Sequence, residues 1–161
     1  MAITEHRLID STKRALVKYV SFDTALLSNS ILLDVSTLSG ALNNSGNVMV
    51  ANTGDRGLYR TTIKRIYADV KSGGSISLHW AGANNSPIAF FGSGAHDLNF
   101  ENMGEGAVLT NPEVAGATGD ILLSSLGIAA GDGFTLIIDV RKDNRDYDAG
   151  QSGSPLDFNK R

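Results

Sequence analysis

The chain has 161 residues, of which 42% are hydrophobic and 19% are charged, and its formal net charge at pH 7 is −3. This composition excludes an intrinsically disordered chain, and the length fits one domain with a single hydrophobic core. The chain contains no cysteine, which excludes thiol nucleophiles, thiolate metal sites and disulfide bonds.

The N-terminal segment supports two structural interpretations. It lacks the apolar stretch of a secretory signal, so we expect a protein made in a cytoplasm. Apolar residues at helical spacing favour an amphipathic helix over residues 5–20, whereas the β-branched and aromatic side chains of residues 16–22 favour a strand. We prefer an extended arm over residues 1–13 followed by a strand.

Alternation of apolar and polar residues, which is typical of half-buried strands, recurs along the rest of the chain. The alternating sets are Ile31, Leu33 and Val35, then Val48 and Val50, and most clearly Ser75–Trp80 and Phe134–Arg141. Each set is predicted to form a strand with its apolar side toward a core.

The segment Thr61–Val70 alternates less regularly than the others. Ile66, Ala68 and Val70 form one apolar face, but Ile63 falls out of phase with them. One extra residue between Ile63 and Ile66, a β-bulge, would return Ile63 to that face.

Turn-forming sequences rich in glycine and asparagine separate these segments, for example in residues 43–46 and 131–133. Seven or more short strands at this spacing are typical of an antiparallel sandwich or barrel. The sequence therefore predicts an all-β fold, an antiparallel β-sandwich of jelly-roll-like or barrel-like form with extended N- and C-terminal arms. We assign residues 14–147 to the sandwich, 1–13 to the N-terminal arm and 148–161 to the C-terminal tail.

Charge is unevenly distributed along the chain. Residues 56–71 carry five basic side chains and one acid, whereas residues 72–140 carry seven acids and no lysine or arginine. One interpretation is that the strands interleave in the fold and cancel this asymmetry. The other is that basic and acidic faces meet at an interface between proteins. The single short basic stretch does not favour nucleic-acid binding.

Few residues suggest catalysis. His6, His79 and His96 lie far apart in the sequence, and His79 is on the polar side of its predicted strand, where we expect it to face solvent. No motif places a nucleophile and an orienting acid beside a histidine, so we do not expect an enzyme.

A calcium loop is suggested and then disfavoured by the same segment. Asn144, Asp146 and Asp148 have the alternate spacing of the first calcium ligands, but the position of the expected bidentate glutamate is Pro155. We predict a solvated loop there, and neither a metal nor a cofactor.

Three aromatic residues allow an alternative function. Tyr59, Tyr67 and Trp80 would form a sugar-binding platform if all three faced outward. Trp80, however, lies on the apolar side of its strand, where core packing is expected. Tyr67 is predicted to face outward with Arg65 and Asp69, a combination that suits a protein interface.

Several segments resemble the small structural proteins of tailed bacteriophages. They are residues 1–5 (MAITE), 8–20 (LIDSTKRALVKYV), 119–127 (GDILLSSLG), 131–142 (GDGFTLIIDVRK) and 146–147 (DY). The resemblance implies a virion component without enzymatic activity.

The size and the predicted fold suit a particular kind of virion component, a capsid decoration or cement protein. Such a protein binds the major capsid protein lattice on the capsid surface and stabilises the head. We also expect self-association, for which a trimer would suit the local symmetry of a capsid. From the short apolar stretches and the single short basic stretch we expect no binding to membranes or directly to nucleic acid. Alternatives are a neck, tail or baseplate component, or a carbohydrate-binding module.

The predicted interface residues belong to three parts of the chain. They are Ile3, Arg7, Leu8 and Ile9 in the N-terminal arm, Arg65, Tyr67 and Asp69 on an outward strand face, and Tyr147 beside the tail.

Overall fold

The computed structural model describes residues 3–22, 27–42, 57–103, 109–128, 133–143 and 145–147. Within these ranges the chain forms ten strands and two short 3₁₀ turns, Val35–Thr37 and Phe100–Asn102, and no α-helix. The strands are β1 (Ile3–Asp10), β2 (Arg14–Ser21), β3 (Ser30–Leu33), β4 (Thr61–Val70), β5 (Ser75–Trp80), β6 (Ser86–Phe91), β7 (Gly94–Asn99), β8 (Leu109–Thr110), β9 (Ile121–Leu126) and β10 (Phe134–Lys142).

The strands build two antiparallel sheets that pack together, which confirms the predicted β-sandwich. The large sheet has the order β1-β2-β10-β4-β7, with β8 paired to β4. The small sheet has the order β3-β9-β5-β6. Strands β2, β10 and β4 are neighbours although they are distant in sequence, so residues from both ends of the chain meet in the middle of the large sheet.

The inner faces of the two sheets form one hydrophobic core. Val17, Ile66 and Ile138 of the large sheet and Leu78 and Leu123 of the small sheet are all 0% exposed. Burying each such side chain contributes about 1.5–3 kcal/mol. The alternation in Ser75–Trp80 and Phe134–Arg141 therefore predicted the core side of both strands correctly.

The predicted bulge in β4 is confirmed. Arg65 lies opposite Asp139 and Ile63 opposite Val140, so Lys64 is the extra residue in the pairing with β10. Ile63 is 0% exposed as a result. The bulge also changes which side chains of β4 share the outer face.

The prediction for β3 is wrong at one residue. Leu33 and Val35 are buried, but Ile31 is 62% exposed. A register shift between Ile31 and Leu33 makes Leu32 an extra residue, which turns Ile31 to the outside. Val48 and Val50 lie outside the described residues.

The N-terminal segment is extended, as preferred over the helix. Residues of the predicted arm form β1, which pairs with β2 in an antiparallel hairpin and is an edge strand of the large sheet. The predicted boundary at residue 13 is thus a hairpin turn in the sheet. The tail 148–161 lies outside the described residues.

Two ion pairs join the basic and the acidic segments of the chain, in agreement with the first interpretation. Arg60 of the basic stretch pairs with Glu113, and Arg65 pairs with Asp97. Both acids come from the segment that contains no lysine or arginine.

A buried lysine at the end of β10 binds the turn between β1 and β2 and the loop that follows β3. The side chain of Lys142 is 0% exposed, and its Nζ donates to Asp10 Oδ1 at 2.6 Å, to Ser39 O at 2.7 Å and to Ser11 O. Nζ also lies 5.4 Å from the ring centroid of Tyr147. Burial lowers the pKa of Lys142, and its three acceptors compensate the lost hydration.

Candidate protein-interaction face

The outer face of the large sheet contains a shallow groove with a volume of about 400 Å³. Strands β2, β4 and β10 each contribute two of its lining side chains. We define the groove by these six residues: Arg14, Leu16, Arg65, Tyr67, Ile137 and Asp139.

Strand alternation places the groove residues outside the core. Leu136 and Ile138 of β10 are buried, so Ile137 between them projects to the opposite face. Ile137 lies directly opposite Tyr67 of β4. Direct partners in an antiparallel pair project from the same face, so the register of β10 with β4 brings the two side chains together.

Two bidentate ion pairs hold the charged side chains of the groove. Arg14 Nε and Nη2 donate to the two carboxylate oxygens of Asp139 at 2.9 and 3.0 Å. Arg65 donates in the same way to Asp97 of β7, at 2.9 and 2.6 Å. The hydrogen bond from Arg65 lowers the pKa of Asp97, and the hydrogen bond to Asp139 raises the pKa of Arg14. Both shifts favour the charged forms.

The groove offers apolar contact area beside oriented hydrogen-bond donors. Leu16, Tyr67 and Ile137 are partly exposed. Among the described residues, the ion pairs use Nε and Nη2 of Arg14 and Arg65, which leaves the Nη1 hydrogens for acceptors on a partner. Tyrosine and arginine are enriched in protein interfaces. The lining therefore suits a protein segment that carries apolar side chains next to carbonyl or carboxylate groups.

Four of the predicted interface residues lie on this outer face. Arg65 and Tyr67 line the groove, and Asp69 follows them on the same side of β4 and is exposed. Ile9 extends the face across β1, because it lies opposite Leu16.

The other three N-terminal candidates are placed differently. Leu8 is 54% exposed at the irregularity between Arg7 and Ile9. Arg7 contacts its own chain, since its guanidinium donates to Asp10, to Glu5 and to Thr37 O at 2.8 Å. Ile3 packs against the core. Arg7 and Ile3 therefore stabilise the edge strand and do not contribute to the groove.

The assignment of Tyr147 to an interface is corrected by the structure. Tyr147 is 1% exposed, and its hydroxyl donates to Val35 O at 2.7 Å. A β-bridge to Ala41 brings it under the loop that follows β3, and its ring packs against Tyr59 with 5.6 Å between centroids. Its place near the tail gave no indication of this long-range bridge.

The aromatic platform is not formed. Tyr59 is 1% exposed and donates its hydroxyl hydrogen to Leu42 O, while Trp80 is 3% exposed, as expected for a core residue. Tyr67 remains as the only member of this trio that reaches the surface.

Asp146 of the disfavoured calcium loop is engaged by an arginine. It is 2% exposed and accepts hydrogen bonds from Arg60 Nη1 at 2.9 and 3.0 Å and from the Arg60 backbone N–H at 2.9 Å. Asn144 and Asp148 lie outside the described residues. In the part of the chain that the structure describes, no three histidine, aspartate or glutamate residues cluster as metal ligands.

None of the three histidines lines the groove. The Nδ1 of His79, which was expected to face solvent, is buried and has no hydrogen-bond partner among the described residues. His96 Nε2 lies 2.9 Å from Gly92 O.

Sequence reasoning missed four groove residues, Arg14, Leu16, Ile137 and Asp139, as a set. Alternation along Phe134–Arg141 places Asp139 on the outward side, but its pairing with Arg14 joins positions 125 residues apart and follows only from strand order. The detectable signal was Ile137, an apolar residue at an outward position of an otherwise regular strand. Together with Leu16 and Tyr67 it forms an apolar patch in the groove, which suits contact with a partner.

None of the family models, characterised proteins or solved structures compared with this chain matches it. Among the described residues there is also no helix with the length and apolar character that crossing a membrane would require.

Proposed function

We propose that the chain is a structural protein of a tailed-phage virion, and specifically a capsid decoration protein that binds the major capsid protein lattice and stabilises the head. One observation carries this proposal. Arg14, Leu16, Ile137 and Asp139 belong to the segments that resemble phage structural proteins, and they supply four of the six groove residues. The resemblance and the candidate interaction face thus coincide in strands β2 and β10.

The physical properties of this face are consistent with lattice binding. The groove lies on the three central strands of a sandwich and is therefore rigid, so little conformational entropy is lost when a partner binds. Each contact on a capsid can be modest, because many symmetry-related copies together stabilise the assembly.

The first test is the copy number in purified particles, measured by mass spectrometry and checked by cryo-electron microscopy of the same sample. Trypsin has no site between Lys71 and Arg141, so a second protease is required. Hundreds of copies per capsid support the decoration role. A few copies per particle would support a position in the neck, tail or baseplate, and complete absence from the particles would overturn the virion proposal.

The second test examines the groove by substitution. Tyr67→Ala is expected to weaken binding to capsids assembled without the protein by about tenfold or more, because a tyrosine in the centre of an interface is a typical hot spot. Arg14→Ala is expected to weaken it as well. Met103→Ala is the matched control, since Met103 is 53% exposed and lies outside the groove. Equal binding of Tyr67→Ala and the control would place the capsid contact elsewhere on the chain.

Deletion of residues 1–13 is a less specific test than these substitutions. It would remove β1 and with it Asp10, an acceptor of the buried Lys142. Loss of binding after that deletion would therefore report on folding and on contact together.

A further inference from the structure

A lysine that is not among the six groove residues lies directly beside the groove. Lys18 of β2 is opposite Ile137 of β10, and Ile137 is opposite Tyr67 of β4. Direct partners in antiparallel strands project from the same face, so the Lys18 side chain borders the apolar part of the groove. Lys18 is half-buried, as is Leu16 two residues before it. The groove therefore has a cation at its border on β2.

Lys18 differs from the two arginines of the groove because it has no acid of its own. Arg14 pairs with Asp139, and Arg65 pairs with Asp97. In the part of the chain that the structure describes, the Lys18 side chain has no ion-pair or hydrogen-bond partner. A cation of this kind beside an apolar surface favours a partner that brings the opposite charge.

The polar groups that the groove leaves for a partner are hydrogen-bond donors. Both carboxylate oxygens of Asp139 accept from Arg14, and both carboxylate oxygens of Asp97 accept from Arg65. The Nη1 groups of the two arginines and the Nζ of Lys18 remain, and each of them only donates. Carboxylates form the strongest hydrogen bonds with such charged donors. The charge and the hydrogen-bonding capacity of the groove thus both favour an acidic partner.

The spacing along β2 defines the pattern of that partner. Arg14, Leu16 and Lys18 alternate with the buried residues Ala15 and Val17, so a cation, an apolar side chain and a second cation face outward in turn. At about 3.3 Å per residue the two cations are about 13 Å apart along the strand. An extended partner segment has the same period of two. It would therefore match this row with an acidic, an apolar and a second acidic residue at positions i, i+2 and i+4.

The apolar centre of the groove favours a protein segment over a nucleic acid. Leu16, Ile137 and Tyr67 offer contact area that a phosphate backbone cannot use, whereas an apolar side chain can cover it. The formal net charge of the whole chain is −3, which opposes the binding of a polyanion.

From this arrangement we propose that the groove binds an extended segment of a partner protein in which an apolar residue has an acidic residue two positions away on each side, and that Lys18 selects for the acidic residue. The inference rests on the proposed function, because it specifies the chemistry of the partner that the same groove binds.

The first test uses synthetic peptides and the purified full-length chain, without capsids. The probe is the blocked heptapeptide Thr-Asp-Thr-Leu-Thr-Asp-Thr, whose threonines favour an extended conformation. In NMR titrations we expect millimolar binding that shifts the amide signals of Lys18, Ile137 and Tyr67. The peptide with both aspartates replaced by asparagine is expected to bind about threefold or more weakly, because two partly exposed ion pairs are lost.

Variants of the chain assign this preference to the lysine. Lys18→Glu is expected to abolish the preference for the aspartate peptide, since like charges then oppose each other, and Lys18→Arg is expected to retain it. Lys71→Glu is the matched control, because it changes the net charge equally at an exposed residue that does not line the groove. Circular dichroism establishes that each variant is folded.

Three outcomes would overturn the inference. They are the absence of shifts at the groove with the aspartate peptide, equal binding of the aspartate and asparagine peptides, and an equal effect of Lys18→Glu and Lys71→Glu. A thymidine oligonucleotide that binds the groove more tightly than the aspartate peptide would also overturn it, in favour of a nucleic-acid partner.

Binding to capsids assembled without the protein separates this inference from the proposed function. Lys18→Glu is expected to weaken capsid binding by about tenfold or more relative to Lys71→Glu. If the natural chain binds the aspartate peptide and no capsid, the proposed function fails and the acidic specificity of the groove stands. If it binds capsids equally well with Lys18→Glu and shows no peptide preference, the inference fails and the proposed function stands.

Discussion

The two sheets of this sandwich share one core and differ in what they present to the outside. On the large sheet, acids and bases alternate with apolar side chains and pair across strands, as Arg14 does with Asp139 and Arg65 with Asp97. The strands of the small sheet contain no lysine, arginine, aspartate or glutamate. Since the inner faces are equally apolar, the difference is not required for folding. It leaves the two outer faces with different chemistry: the large sheet has paired charges beside apolar side chains, and the small sheet has strands without charged residues.

The prediction with the largest expected effect asks whether the inner faces of the two sheets contribute equally to the stability of the core. Leu123→Ala in the small sheet and Leu136→Ala in the large sheet each empty a site that is 0% exposed. Each is expected to lower the free energy of unfolding by about 2–5 kcal/mol, because a cavity is left in a shared core. Urea denaturation followed by circular dichroism measures both. A loss below about 1 kcal/mol in one variant only would mean that one sheet contributes little to the core.

The next prediction concerns the one charge of the large sheet that is fully buried. Lys142→Met removes the donor for Asp10 Oδ1, Ser11 O and Ser39 O while keeping much of the side-chain volume. We expect a loss of about 2–4 kcal/mol, because the acceptors are left without their partner.

Thermal unfolding of Lys142→Met should be compared with that of Arg14→Ala. Arg14 forms a surface ion pair, and its removal is expected to cost less than about 1 kcal/mol. Equal losses of stability in the two variants would show that the buried charge of Lys142 contributes no more to stability than the surface ion pair of Arg14.

The smallest expected effect is a pH-dependent change in stability caused by a carboxyl group beside the small sheet. Asp120 directly precedes β9, and burial, followed by the nearby Asp34, raises the pKa of its carboxyl group. A carboxyl group with a raised pKa binds its proton more tightly in the folded state than in the unfolded state. The contribution of Asp120 to stability therefore increases as the pH falls from 7 through the folded-state pKa.

Asp120→Asn should remove this dependence, because an amide does not titrate. The amide oxygen can still accept the hydrogen bond from the Val35 N–H, which Asp120 Oδ1 accepts at 3.0 Å. Urea denaturation at several pH values between about 4 and 7 should show that the natural chain gains stability relative to the variant as the pH falls. An identical slope in both would show that Asp120 titrates in the folded state as it does in the unfolded state.

Local sequence patterns predicted the strands well where side chains alternate regularly between the inner and the outer face. Period-2 alternation identified the core side of β5 and β10, and the phase error in Thr61–Val70 predicted the bulge at Lys64. The same rule failed at Ile31, because the shift in β3 is set by its pairing with β9 and leaves no mark in the four residues of β3. It also missed the burial of Tyr59 and Tyr147, which is caused by contacts between distant loops.

The amino-acid sequence by itself determined the class of the fold, the inward faces of the central strands and the outward position of Arg65, Tyr67 and Asp69, because alternation along a strand is a local property. Only the tertiary structure decided strand order. That order places β10 between β2 and β4, forms the groove and pairs Arg14 with Asp139. It also gathers four uncharged strands into a single sheet. Which strands become neighbours depends on how the two apolar faces close over one core, and this requires contacts between residues that are far apart in the chain.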